Sequence, residues 1–189
     1  MTSIPWHWEL EGEEPLRHLP RRLRWYSLPY RSSRLGNPKQ SWLEKPAVIA
    51  AVDDRKSLFD TYILLALRRG NDEAAALLDK AGQRYISTIS YMDLLAATTF
   101  PNEQFLLEHF LHHGAFQVLP INERISRRAA LYMEYYAIGY GLSPRSALIA
   151  ATAFEEQLVL VSRPSDFHRL PELEIAPYPG DEDLPFGHD

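Results

Sequence analysis

Three groups of side chains in this sequence could do chemistry. The first is Asp60, which closes a short extended run beginning at Lys56 and precedes the apolar stretch Thr61-Tyr62-Ile63-Leu64-Leu65. The C-terminal edge of a parallel sheet is where sites are built, and a carboxylate placed there can hold a cation. The plainer reading of an aspartate before a helix is an N-cap. The second group is His109 and His113, four residues apart and so on one face of a helix. That spacing can bind zinc, but no third ligand accompanies the pair in a recognisable pattern, and it reads as surface or capping histidine. The third is a run of six arginines from Arg17 to Arg34 with no acid among them, interleaved with Trp25, Tyr26 and Tyr30. Arg17, Arg21, Arg22, Arg24 and Trp25 are its candidate RNA-binding residues, because guanidinium groups meet phosphates and aromatic rings stack on bases. The same composition could instead pin the arm to its own domain through ion pairs and buried rings.

The elements that must position these groups follow from periodicity. Ser143-Pro144 opens a helix, with serine as N-cap and proline at the first turn. Ala147, Ala150, Ala151 and Ala153 then make one side small enough to lie close against a sheet. Leu158 to Val161 reads as a strand buried on both faces. Further strands are expected at 84–88, 116–119 and 173–176, and further helices at 71–82, 89–97, 101–113 and 121–138, the last packing on the sheet or on a dimer partner. In the 101–113 helix, Phe105, Leu106, Phe110 and Leu111 are spaced for one apolar face. Strands alternating with helices predict an α/β fold with a parallel sheet.

Composition bounds the rest. The 189 residues predict one domain with extensions: a basic, aromatic-containing N-terminal extension over 1–55, a folded domain over 56–176 and an acidic flexible tail over 177–189. Net charge is −5, yet residues 1–45 carry 8 Lys/Arg against 5 Asp/Glu. There is no cysteine, which excludes disulfides, thiolate metal sites and a cysteine nucleophile, and fits a cytoplasmic location. The N-terminus has no signal-peptide pattern, and no apolar run is long enough to span a bilayer, so no membrane partner is expected.

Residues 141–153, Gly-Leu-Ser-Pro-Arg-Ser-Ala-Leu-Ile-Ala-Ala-Thr-Ala, resemble the third motif of PIN-domain ribonucleases of the VapC toxin type. Asp60-Thr61 resembles the first motif. Ser87 and Ile89 with Asp93-Leu94-Leu95 resemble the second, with aspartate where the family has glutamate. Ser162-Arg163-Pro164-Ser165-Asp166-Phe167 resembles the fourth, shortened by about one residue. The resemblance implies a three-layer α/β/α fold with a central parallel sheet of about 4–5 strands. It also implies Mg²⁺ or Mn²⁺ as cofactor, RNA as substrate, an antitoxin-like protein as partner, and a homodimer.

Carried over residue by residue, the site is Asp60, Asp93, Ser146 and Pro164. Serine stands at the third acidic position, and proline offers only a carbonyl at the fourth. Asp166 is the carboxylate nearest in sequence that could fill the gap; as a plainer reading, Asp93 is a solvated helix residue. Two functions compete. One is a metal-dependent endoribonuclease with the catalytic set Asp60, Asp93 and Asp166, all three on metal, helped by Ser146. The other, favoured slightly, is a module with impaired or lost catalysis that binds RNA or a protein partner.

Overall fold

The structure, a computed structural model, describes residues 52–163, 167 and 170–178. Five strands form one sheet: β1 (Lys56–Phe59), β2 (Gln83–Ser87), β3 (Phe116–Leu119), β4 (Val159–Ser162) and β5 (Ile175–Pro177). Their order is β3-β2-β1-β4-β5, and every neighbouring pair is parallel. Six helices are described: α1 (Thr61–Arg68), α2 (Asp72–Lys80), α3 (Thr88–Ala96), α4 (Pro101–His113), α5 (Glu123–Tyr140) and α6 (Pro144–Glu155).

Side-chain alternation along the central strands decides how the layers divide. Phe59, Ile86, Val159 and Val161 point to one face, where α1, α2, α3 and α4 supply Ile63, Leu64, Leu77, Leu94, Leu106 and Leu107. Leu58 and Leu160 point to the other, where α5 and α6 supply Ile125, Ala129, Tyr132, Ala147, Ile149 and Ala150. The result is the three-layer α/β/α arrangement that the motifs imply. The β4 residues are buried without exception, as expected of a strand covered on both sides. Ala147, Ala150 and Ala151 are fully buried, so α6 sits close to its neighbours because it has almost no side chain to hold it away. Among the described residues no helix is long and apolar enough to cross a membrane.

Two helices differ in detail from the expected pattern. In α4 the buried side chains are Glu103, Leu106, Leu107 and Leu111, while Phe105 is exposed. Its face is turned by about one residue because Glu103 goes inward. There the carboxylate accepts from the Thr99 amide and lies 3.6 Å from the Arg68 guanidinium. In α5 regular helical geometry stops at Ile138 (ψ 123°), and Gly139 takes φ 90° and Gly141 φ 70°. Both glycines occupy the left-handed region that side chains with a Cβ avoid, so the chain turns here toward α6 at little cost.

Candidate functional site

Asp60 leaves β1 directly. Its amide donates to the Val161 carbonyl at 3.1 Å, continuing the β1–β4 ladder by one step. Its backbone takes the N-cap position of α1 (φ −69°, ψ 155°), yet its side chain makes no capping hydrogen bond. The carboxylate instead accepts from Ser162 Oγ at 2.6 Å, and only 4% of the residue is exposed. Capping therefore does not account for this aspartate. Its oxygen is committed to the neighbouring strand end, in the crevice where parallel sheets build sites.

Asp93 reaches the same edge from α3. Ser87 caps that helix, accepting from the Ser90 amide at 3.0 Å, and so fixes where its first turn begins. Thr61, fully buried and next to Asp60, donates its hydroxyl to Asp93 Oδ2 at 2.9 Å. Arg145 Nε forms an ion pair with the same oxygen at 2.8 Å. Asp93 is thus neither a solvated helix residue nor an open carboxylate. One of its oxygens accepts from a hydroxyl and is ion-paired with a guanidinium.

Arg145 and Ser146 come from the first turn of α6. Ser143 caps this helix as its sequence suggests, accepting from the Ser146 amide at 3.1 Å and donating to Ser146 Oγ at 3.0 Å. Ser146 therefore occupies the third position of the turn with its hydroxyl tied to the cap, while the adjacent arginine turns onto Asp93. Sequence reading assigns no role to Arg145, Thr61 or Ser162. Neighbourhood was the available signal: each is adjacent in sequence to a motif residue or contained in a motif.

The arrangement brings Asp60, Asp93 and the first turn of α6 to one sheet edge, with Thr61 linking the first two. Asp166 and Pro164 lie outside the described residues, as do Arg17, Arg21, Arg22, Arg24 and Trp25. Glu155 is held elsewhere. Arg124 and Arg128 bind its two oxygens at 2.8 and 3.0 Å at the far end of α6, and these bonds keep its carboxyl below the usual range.

Hard divalent cations want several oxygen ligands and enough negative charge to hold them in place. The described donors are two carboxylates, one of them already facing a guanidinium, and hydroxyl groups. Among the described residues no three His, Asp or Glu side chains come together as a metal cluster. This set does not fit a pair of hard cations.

The model of the family described as PIN domain matches residues 57–173. No curated protein matches the sequence. Among solved structures, the chain is similar to one from a toxin–antitoxin complex of Klebsiella pneumoniae, with TM-score 0.53 and 28% identity over 62% of this chain and 94% of that one. It is also similar to a chain of VapBC2 from Rickettsia felis, solved bound to a DNA fragment from their promoter (TM-score 0.54, 19% identity, 65% and 98% covered). A third likeness is to FitAcB from Neisseria gonorrhoeae (TM-score 0.50, 24% identity, 62% and 94% covered). The last two speak for the fold alone.

Proposed function

The chain belongs to the PIN-domain family, and from that premise we propose that it is a toxin-type PIN protein with impaired or lost ribonuclease chemistry. It acts by binding RNA, and takes an antitoxin-like protein as partner. The observation that carries this reading is the Arg145–Asp93 pair beside Ser146. The cleft has serine where the family motif has an acid, and a guanidinium on the second of its two remaining carboxylates. Three or four converging carboxylates would place cations that activate water and offset charge on a departing oxygen. Two carboxylates, one of them paired, leave that chemistry short of charge.

The partner part rests on the similar chain from Klebsiella pneumoniae, which comes from a toxin–antitoxin complex. A dimer through α5 accompanies it, since Leu131, Tyr135 and Ile138 leave apolar surface exposed on that helix.

A second reading has its own support. Asp60 and Asp93 still share one sheet edge, joined through Thr61. An active enzyme would then hold its cation with Asp60, Asp93 and Asp166, with Ser146 assisting.

Cleavage of a mixed RNA pool by the purified protein, with Mn²⁺ against EDTA, separates the two. The proposed function expects RNA to be bound and not cut in either condition, with binding that weakens steeply as salt rises. Metal-dependent cutting that disappears in Asp60→Asn would replace it with the variant enzyme.

A further inference from the structure

The large apolar side chains left exposed among the described residues fall into two groups. Leu131, Tyr135, Ile138 and Tyr140 belong to α5. Met92, Phe100, Phe105 and Val118 belong to the opposite layer: on α3, at the start of α4, on α4 and on the edge strand β3. Val118 lies two residues from Phe116, which meets Phe110 of α4 at 5.7 Å, so it points to the same side of the sheet. Each of these four is between 40% and 56% exposed. The Phe105 ring continues into those of His109 and His113, at 6.3 and 3.8 Å between centroids, so α4 carries an aromatic ridge along one face. Clustered apolar surface of this kind marks a place where something docks.

The chain itself holds a segment of matching chemistry. The 51 residues ahead of Val52 contain all four tryptophans of the sequence, Trp6, Trp8, Trp25 and Trp42, a residue type that is mostly buried in folded proteins. Val52 is fully buried in the same core cluster as Leu106, Leu107 and Leu111 of α4, so the chain enters on this layer. About six extended residues span the length of α4, and reach does not limit the contact. Charge selects between the two faces. Residues 17–34 hold six arginines and no acid. α3 and α4 carry Asp93, Glu103 and Glu108 and no lysine or arginine. Asp93 and Glu103 are paired with Arg145 and Arg68, whereas Glu108, three residues from Phe105 on the same side of the helix, has no ion pair among the described residues. α5 instead carries Arg124, Arg127 and Arg128 against Glu123 and Glu134, which disfavours a basic segment.

We propose that residues 1–51 dock in cis on the α3–α4 face, with tryptophan against the surface of Met92, Phe100, Phe105 and Val118 and arginine toward Glu108. The docked segment covers the largest apolar side chains of that layer and offsets its acidic charge. This contact does not depend on the state of the carboxylate cleft.

Residues 52–189 hold no tryptophan, so tryptophan emission of the full chain reports on residues 1–51 alone. The expected result is emission with a blue-shifted maximum and low acrylamide quenching, the same in dilute and concentrated protein. Phe105→Glu and, separately, Met92→Glu should each move the maximum to the red and raise the quenching. Tyr135→Glu, on α5, should leave both unchanged. All three side chains are exposed in the described structure, and far-ultraviolet circular dichroism and Tm check the fold of each variant. Wild-type emission at the position of water-exposed tryptophan would overturn the proposal, as would a buried signal that neither Phe105→Glu nor Met92→Glu moves, or one that only Tyr135→Glu moves. A buried signal lost on dilution would also overturn it and assign the face to a second copy of the chain.

Discussion

Ala147, Ala150 and Ala151 lie on the same helix as Arg145 and Ser146, within two turns of them, and the two regions follow different constraints. The inner face of α6 is fixed by volume: its alanines are fully buried, and any larger side chain must push the sheet or the helix away. The first turn is fixed by very little. Ser143 supplies the cap, Pro144 the dihedral, and the residues at 145 and 146 need only avoid a clash. Packing therefore holds the fold closely, whereas the chemistry of the turn can change without disturbing it. A fold match is for that reason strong evidence of architecture and weak evidence of catalysis.

The comparison predicts a gradient of effects, beginning in the core. Phe59→Ala removes a fully buried ring packed edge-on against Phe116 at 5.7 Å, and should cost about 3–5 kcal/mol in denaturant titrations. Ala150→Leu tests the inner face itself, and overpacking there should cost about 1–3 kcal/mol, read as a lower unfolding midpoint. A neutral result would show that the α6 face is not volume-limited and would break the contrast.

The first turn should respond in stability far less. Arg145 and Asp93 are both partly exposed (43% and 28% of their side chains), so Arg145→Ala should change stability by no more than about 1 kcal/mol. Ser146→Asp should be nearly neutral, because an acid in the first turn of a helix complements its dipole. Its effect should appear in metal binding instead. With a third carboxylate beside Asp60 and Asp93, Mn²⁺ should raise Tm by mass action where the parent chain responds weakly. Ser146→Asp should do more than Arg145→Ala, because a partly exposed ion pair opposes a cation only modestly while a missing ligand removes a full charge. The double variant should do most. If Mn²⁺ melts of Ser146→Asp match the parent, position 146 does not face the cleft as the motif implies.

The far end of α6 offers the smallest effect. Arg128 first, and Arg124 with it, hold Glu155 below its usual pKa. A carboxylate depressed in the folded state adds stability that is present above its unfolded pKa and lost as pH falls through the folded value. Acid titration of stability should therefore show a contribution in that acid window that is absent in Glu155→Gln.

Much of the architecture was legible because it rests on local pattern. The Leu-Val-Leu-Val run, the small face of α6 and the cap at Ser143 each state their element within a few residues. The 101–113 helix was legible in extent, but its facing was not. Glu103 is buried because a distant arginine, Arg68, and the amide of Thr99 meet it, and no periodicity encodes such a partner. The site divides in the same way. Asp60 and Asp93 stand out as motif positions, whereas the bond from Ser162 to Asp60 and the arginine on Asp93 exist only once distant segments are together.

That separation has a consequence in time. Asp60 and its hydrogen-bond donor Ser162 are 102 residues apart, and β4, which carries Ser162, is the neighbour that β1 needs on one side. At about 5–20 residues per second, a growing chain spends about 5–20 s with β1 made and β4 not yet synthesised. Through that interval β1 and β2 can pair, but the crevice beside Asp60 has only one wall. Loop closure over such a distance is also what slows parallel sheets during refolding. The cleft is thus a late product of biosynthesis, and a nascent chain stalled before Val159 would present strands and helices without the site.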